Sequence, residues 1–483
     1  MNNKRLKLCL IAGSRDGTQL DGARFNFLVG RRLQGYGFDI CYVTFSQEIH
    51  DYFSRKNEEC IYIPEKKEDY TVNNLEKELR GVEEKYECIV EEIFVGDYDY
   101  YHSPNREKSL DVMVKIFRFW EDYLEKEKPN YIIGGGQRFI HMIPYTVCKK
   151  RDTKFLVLST TPFPETFCFS ENILGHISTL DKYWELNKGK ELTNEEIKEV
   201  EEYVKSITET KERPFQIDST PYVNPAKLRF FLERAYKSFF TERLRTPYSQ
   251  PWRGAYKYAL KIIRSELSKI LYSKPDYNEK YIFFPLHVEW DSVMLVWNPL
   301  FINQVFLIKI LSRSLPSDVT LYVKEHPNDV GGTPLTQLKR IKDTPKVKLI
   351  HPQEDSHEII KNSRSVLVIA GTPGWEGLLM GKTVINVGRT YYEISGLTWG
   401  VKDITQLSDI IKKAIKENKE NRKTLHRFIA AFQKVTYPGR IYFTQLYYSN
   451  EINRDLVLSE ENIKNVAAGI KKQLTDDLYL LED

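Results

Sequence analysis

The sequence predicts an α/β protein of two doubly wound domains that face a cleft, with a helical insertion between them. Three observations carry this. Short apolar runs alternate with polar helical stretches over the first 160 or so residues. The same alternation resumes at 281, and between roughly 186 and 275 it gives way to helical, basic and aromatic sequence. The boundaries expected are 1–185, a linker region at 186–275, 276–450, and a last helix over 451–483.

In the first block the strand candidates are "LKLCLIAG", "FDICYVTF", "CIYI", "CIVEEIFVG", "NYIIGGG" and "KFLVLST", with helical stretches such as "SLDVMVKIFRFWEDYLEKE" between them. Strand–helix alternation implies a parallel sheet with helices on both faces. "TNEEIKEVEEYVKSITETKE" then reads as a helix, with Thr193 as N-cap and Glu196 completing a capping box. The second block holds "YIFFPLH", "VTLYVKEHP", "VKLIHP", "SVLVIAGT" and "TVINVG". Its helical segments are "NPLFINQVFLIKILSRSL", "SHEIIKNS", "GWEGLLMG" and "ITQLSDIIKKAIKENKENRKTLHRFIAAF". The tail, "SEENIKNVAAGIKKQLTDDLYLLE", reads as a helix capped by Ser459.

Composition excludes several classes. A length of 483 residues is too great for one ordinary core. A net charge of +4 does not describe a nucleic-acid binder. The six cysteines are scattered with no CxxC pair, so buried free thiols in a reducing compartment are expected, not a disulfide framework or a zinc site. "MNNKRLKLCLIAGSRDG" has no apolar stretch of signal-peptide length, and no run approaches a spanning helix. The expectation is a cytoplasmic protein.

Chemistry concentrates at strand ends of the second block, where open α/β sheets bind ligands. "PLH" ends in His287, and "KEHPNDVGG" puts Lys324, Glu325 and His326 before Pro327. Lys and His are phosphate ligands, although a solvated loop would also serve there. In "SVLVIAGTPGWEGLLMGKTVINVG" a strand runs into Gly371, Thr372, Pro373 and Gly374, and a helix follows. Small residues admit close backbone approach, and the helix N-terminus offers unpaired N–H groups to a phosphate. Thr372 adds a hydroxyl. Glu376 either stabilises the first turn of the helix or accepts hydrogen bonds from a ribose diol. "GLLMGKT" is not a P-loop: Gly377 and Gly381 are one residue too close, and a strand follows. "GGGQRF" lacks dinucleotide-binding spacing. Asp97 and Asp99 in "DYDYY" form a D-x-D of low specificity, and no metal site is expected.

Together "FFPLHVEWDS", "LYVKEHPND", "VKLIHPQEDSHEIIKNSRSVLVIAGTPGWEGLLMGKTVINVG" and "TYYE" resemble the capsule polysaccharide biosynthesis family, which includes Kdo-type glycosyltransferases. The resemblance covers roughly 281–390 well and the N-terminal half loosely. It implies two Rossmann-like domains of GT-B type and a metal-independent glycosyltransferase. The sugar donor would be a nucleotide-sugar, CMP-linked and Kdo-like, with no other cofactor; the acceptor would be a glycan or glycolipid of a surface or capsular polysaccharide. His326 and Pro327 then stand as the family's phosphate-holding His-Pro motif, with Lys324 countering charge beside them. Thr372 stands in the Ser/Thr turn, and Glu376 holds the ribose. The family's acidic-Gly pattern is not visible after "KFLVLS". Glu165, past a strand in "FLVLSTTPFPETFCFSEN", is the first choice for catalytic carboxylate and Asp16 in "GSRDGTQLDG" the second; a loop or capping role remains open for both.

Three other readings stay open: a polyol-phosphate transferase of teichoic-acid type, a nucleotide-sugar epimerase of the same architecture, and a non-catalytic binding member. Last, residues 227–274 hold twelve Lys and Arg against three Glu, a local +9 interleaved with Phe230, Phe231, Phe239, Phe240, Trp252 and Tyr256. This is either a pair of packed amphipathic helices or a peripheral contact with an anionic membrane.

Overall fold

In a parallel sheet both faces of a strand are covered, so its sequence reads as one apolar run. The computed structural model bears this out in two separate sheets. It describes residues 5–13, 19–97, 101, 105–136, 138–209, 251–417, 421–441 and 453–475, without the side chains of 19 and 251–255. Asp16, Asp99, Phe230, Phe231, Phe239 and Phe240, with the first half of the basic tract, lie outside the described residues.

The first unit comprises Met1–Tyr183 and Gln433–Asp483. Its strands are β1 (Lys7–Ile11), β2 (Asp39–Thr44), β3 (Cys60–Tyr62), β4 (Tyr131–Gly134), β5 (Lys154–Thr160), β6 (Thr166–Ser170) and β13 (Tyr437–Pro438). They lie in the order β13-β6-β5-β4-β1-β2-β3. β1 to β5 run parallel, with Cys9 beside both Cys41 and Ile132, while β6 and β13 add antiparallel pairings. All six cysteines are free; Cys9, Cys60, Cys148 and Cys168 are buried. The helix Arg106–Glu127 starts where Asn105 accepts a hydrogen bond from Lys108 N, and it buries Met113, Phe117, Trp120 and Leu124. Burying each such side chain contributes on the order of 2 kcal/mol.

The second unit comprises Trp184–Arg213 and Ile217–Phe432. Its strands are β7 (Tyr281–Pro285), β8 (Thr320–Lys324), β9 (Val347–Ile350), β10 (Ser365–Val368), β11 (Thr383–Asn386) and β12 (Trp399–Gly400). They form an all-parallel sheet in the order β12-β11-β10-β7-β8-β9. The chain therefore winds outward from β7 through β8 and β9, then returns to place β10 on the other side of β7. The core on one face is built from Ile282, Phe284, Leu321, Val323, Leu367 and Ile385, with helix residues Leu307, Leu311 and Ile411 over them.

Several expectations are corrected. "CIVEEIFVG" is not a strand: Val90–Phe94 is a short helix that buries Val90, Ile93 and Phe94 and leaves both glutamates outside. That spacing has helical period, and alternation would have exposed Ile93 or Phe94. The long helical segment after β12 is two helices, Leu407–Lys416 and Arg422–Lys434. β6, β12 and β13 are additional strands, the last two only two residues long.

The domain boundaries also differ from those expected. The helix Asn194–Thr208 has the Thr193–Glu196 capping box, but it packs on the helix Thr372–Leu379 and belongs to the second unit. The last helix, Glu460–Thr475, starts where Ser459 Oγ accepts from Asn462 N at 3.2 Å. It returns to the first unit, where Ile463, Val466 and Ile470 share a core with Ala23, Val29 and Leu33. Among the described residues no helix is long and apolar enough to cross a membrane.

Candidate functional site

The strand order of the second unit reverses between β7 and β10, and open α/β sheets bind ligands outside the carboxyl ends of their strands at such a switch point. His287 follows β7 there, and Ala370 and Gly371 follow β10. Ala370 N–H donates to His287 Nε2 at 3.3 Å, which ties the two loops across the switch point. A backbone N–H can only donate, so Nε2 carries the lone pair and a neutral His287 holds its proton on Nδ1. The backbone of His287 is clamped by Gln304: His287 N donates to Oε1 at 2.8 Å, and Nε2 of the amide donates to His287 O at 2.8 Å. Burial pushes the His287 imidazole down to about 4.

His326 follows β8, next along the sheet. Its Nδ1 accepts from Asn328 N at 3.1 Å, which caps the short turn Pro327–Asp329 and leaves Nε2 as the protonated nitrogen. Burial, reinforced by nearby His287, holds this ring down to about 4 as well, while Asp291 opposes the shift on both rings. Two neutral imidazoles thus stand at neighbouring strand ends. Each becomes easier to protonate when an anion arrives.

Lys324 and Glu325 behave differently from a solvated loop. Only 4% of Lys324 is exposed, and its Nζ donates to Ser356 Oγ at 2.8 Å. Its charge also helps to hold the His326 ring neutral. Glu325 is 1% exposed and accepts from the Tyr272 hydroxyl; burial raises its carboxyl to about 7. The rest of "KEHPNDVGG" is seated on the helix Pro251–Ser268. Lys261 Nζ donates to Asn328 O at 2.9 Å and Arg264 to Gly332 O at 3.3 Å. Gly331, at φ +73, lies so close that a Cβ would fall 2.0 Å from Lys261 O. No other residue fits there.

After β10 the chain turns at Gly371, whose φ of +91 and ψ of −178 form a conformation essentially reserved for glycine. The helix Thr372–Leu379 then begins with no side chain capping it. Its first N–H groups stay available, and Thr372 is exposed beside them. Tyr392 OH donates to Gly371 O at 3.1 Å, and a Cβ on Gly374 would meet that hydroxyl at 2.1 Å. Glycine at 374 therefore lets Tyr392 lie under the turn. Trp375 Nε1 donates to Tyr203 OH at 2.8 Å and fixes the other side of the helix. Glu376 faces His357, whose Nε2 lies 3.5 Å from Glu376 Oε2. At the end of β11, Arg389 is exposed, and its backbone N donates to Asn298 Oδ1 at 2.8 Å.

Residues 230–436 match the family model described as capsule polysaccharide biosynthesis protein. The match covers less than half of the chain. The chain is 26% identical over 184 residues to the capsule polysaccharide modification protein LipB of Neisseria meningitidis serogroup A, covering 36% of this chain and 42% of that one. It is 27% identical over 154 residues to protein FixF of Sinorhizobium fredii, covering 30% and 36%. The chain thus spans less than half the length of these curated relatives. Among solved structures it is similar to Thermosulfurimonas dismutans KpsC, beta Kdo 2,4 transferase, at TM-score 0.39 and 16% identity over 68% of this chain and 84% of that one. It is also similar to S. aureus MnaA in a UDP co-structure, at TM-score 0.29 and 12% identity over 88% and 91%.

The candidate site gathers His287, Lys324, His326, Pro327, Gly371, Thr372, Gly374 and Glu376 on one edge of the second sheet. Glu165 lies in the first unit, in the tight turn between β5 and β6. It is exposed, has a φ of +56, and pairs with Arg440 after β13. Asp97 is buried, and among the described residues no three His, Cys, Asp or Glu side chains gather as metal ligands. Gln304, Asn298, Tyr272, Tyr392 and His357 were not singled out from sequence. Gln304 meets His287 across 17 residues and Tyr392 meets Gly371 across 21, with no spacing signal to announce either. His357 had one: it stands in the first turn of the helix Ser356–Asn362, behind an Asp355 cap.

Proposed function

We propose that this chain is a metal-independent glycosyltransferase that moves a Kdo-like sugar from a CMP-linked donor to a surface or capsular polysaccharide acceptor. The observation that carries the reading is the convergence of His287, His326 and the uncapped start of the helix Thr372–Leu379 at the switch point. Departure of a nucleotide leaves negative charge on its phosphate. Preorganised N–H donors and a helix dipole aimed at that charge lower the barrier without a metal. His326 supplies its Nε2–H, Thr372 its hydroxyl, and the buried Lys324 a fixed positive charge. Glu376 accepts from the ribose diol. Glu165, or Asp16 outside the described residues, serves as the acceptor-side carboxylate.

The test is a titration of the purified protein with CMP, UMP, GMP and AMP by calorimetry, followed by product analysis with the CMP-activated sugar. Saturable CMP binding and a phosphorus-free glycosidic product are expected. A product that retains phosphorus would mark a polyol-phosphate transferase instead, and preference for UMP would reassign the donor.

The acceptor side of the reading includes peripheral contact with an anionic membrane. The helix Pro251–Ser268 and the turn after it put Tyr256, Ile263, Leu267 and Ile270 outward at helical spacing, 65%, 54%, 53% and 80% exposed. The opposite face carries Lys261 and Arg264 toward the His-Pro loop. An apolar stripe inside a tract of net +9 suits an interfacial helix over anionic headgroups. Co-sedimentation with phosphatidylglycerol vesicles but not phosphatidylcholine vesicles is expected, with loss in Ile263→Ser/Leu267→Ser at unchanged Tm. A fall in Tm would mean that protein covers the stripe, and the membrane contact would be withdrawn.

A further inference from the structure

His357 is 2% exposed, and neither ring nitrogen has a hydrogen-bond partner. Every tautomer of imidazole carries at least one N–H, so one buried donor stands unused in this state, which native interiors rarely tolerate without a reason. The nearest acceptor is Glu376, with Nε2 to Oε2 at 3.5 Å and 12% of the Glu376 side chain exposed. The helices that carry the two residues, Ser356–Asn362 and Thr372–Leu379, pack side by side at the carboxyl edge of the sheet. The position of His357 is itself fixed. Asp355 Oδ1 accepts from His357 N at 2.8 Å, and the neighbouring Ser356 Oγ accepts from Lys324 Nζ at 2.8 Å. The tyrosines Tyr203 and Tyr392 also feel the Glu376 charge.

We infer that His357 is a positioning residue that holds one oxygen of Glu376 from behind, so that the other oxygen faces the vicinal diol of a ribonucleotide. A carboxylate pointing at a diol must present one oxygen in a fixed direction, and a lone carboxylate rotates about its last bond. A hydrogen bond from His357 Nε2 removes that rotation. The 3.5 Å separation needs only a few tenths of an ångström of closure to reach ordinary hydrogen-bond length. Closure on binding is expected, since catalytic and ligand hydrogen bonds often tighten only in the complex. The inference rests on the nucleotide reading of this edge and adds to it a preference for ribose over deoxyribose.

The experiment compares CMP with 2′,3′-dideoxycytidine monophosphate, and UMP with its dideoxy analogue, on the whole chain. Wild-type protein should favour the ribonucleotide. His357→Leu should weaken ribonucleotide binding about tenfold, the order of one charge-assisted hydrogen bond, and leave the dideoxy affinity unchanged. Glu376→Gln should erase the same preference, and the double variant should add nothing further. His357→Gln, which retains an N–H at similar reach, should recover part of the loss. Equal weakening of both nucleotides in His357→Leu, or no change in either, would overturn the role. If His357→Leu does not fold, His357→Asn carries the same comparison with a donor too short to reach. Absence of saturable binding of all four nucleotides to wild-type protein would remove the nucleotide reading itself, and this role with it.

Discussion

Ala370 N–H donates to His287 Nε2 at 3.3 Å, a bond between residues 83 apart in sequence that joins the loops on either side of the switch point. It makes His287 a brace for the turn at Gly371, where a Cβ would lie 3.2 Å from His287 Cε1. Gly371→Ala should therefore strain the backbone and crowd the ring together. A cost of roughly 1–3 kcal/mol in nucleotide affinity is expected from such a conformation, measured by calorimetry. Retention of full affinity would show that the turn tolerates another shape.

His326→Ala removes the neutral Nε2–H and the cap on Asn328 N together. Nucleotide affinity should fall by about 1–3 kcal/mol. His326→Asn separates the two effects, because its shorter amide can still cap Asn328 N but not reach outward. Asparagine matching alanine in lost affinity is the expected result.

The two switch-point histidines also set a pH dependence. Their folded-state values lie at about 4, below the ordinary 6.5. The unfolded chain therefore binds more protons between those values, and each ring's contribution to stability falls as pH drops from 6.5 toward 4. Glu325, raised to about 7 from 4.5, acts in the opposite sense and loses stability as pH rises through that window. The clean observable is a difference. Chemical denaturation of wild type against His326→Gln should show the variant gaining on wild type as pH falls from 6.5 to 4. A constant difference would mean that the ring is not held neutral.

Glu165 separates two roles. Its pairing with Arg440 and φ of +56 suit a turn that joins β5–β6 to the segment after β13. If Glu165 is the acceptor-side carboxylate, Glu165→Gln should lower kcat by at least a hundredfold, the low end for a general base. Nucleotide affinity should stay as in wild type. Arg440→Met should then change Tm more than turnover. An effect of Glu165→Gln confined to Tm would assign it to the hairpin and leave Asp16 as the candidate.

Turnover in excess EDTA should match turnover in buffer. Complete loss, restored by magnesium or manganese, would bring Asp97 and Asp99 back as a metal site.

The amino-acid sequence by itself determined the architecture of the second unit, because its evidence is local. "YIFFP" and "SVLVIA" are buried on both faces, so their apolar runs read as parallel strands wherever the rest of the chain goes. The Thr193 capping box and the Gly371 turn were legible for the same reason, since each is decided within a few residues. Sequence also brought His326 and Thr372 to the same sheet edge, as strand ends of one parallel sheet must be. Only the tertiary structure decided the partners. Gln304 under His287, His357 behind Glu376, and Lys324 buried on Ser356 are pairings between elements, and no periodicity encodes them. The last helix shows the same limit. Its apolar face demanded a cover, and the core around Ala23 and Leu33, more than 400 residues earlier, supplied it. Local pattern fixes which face must be buried; which surface buries it is settled by packing the whole chain.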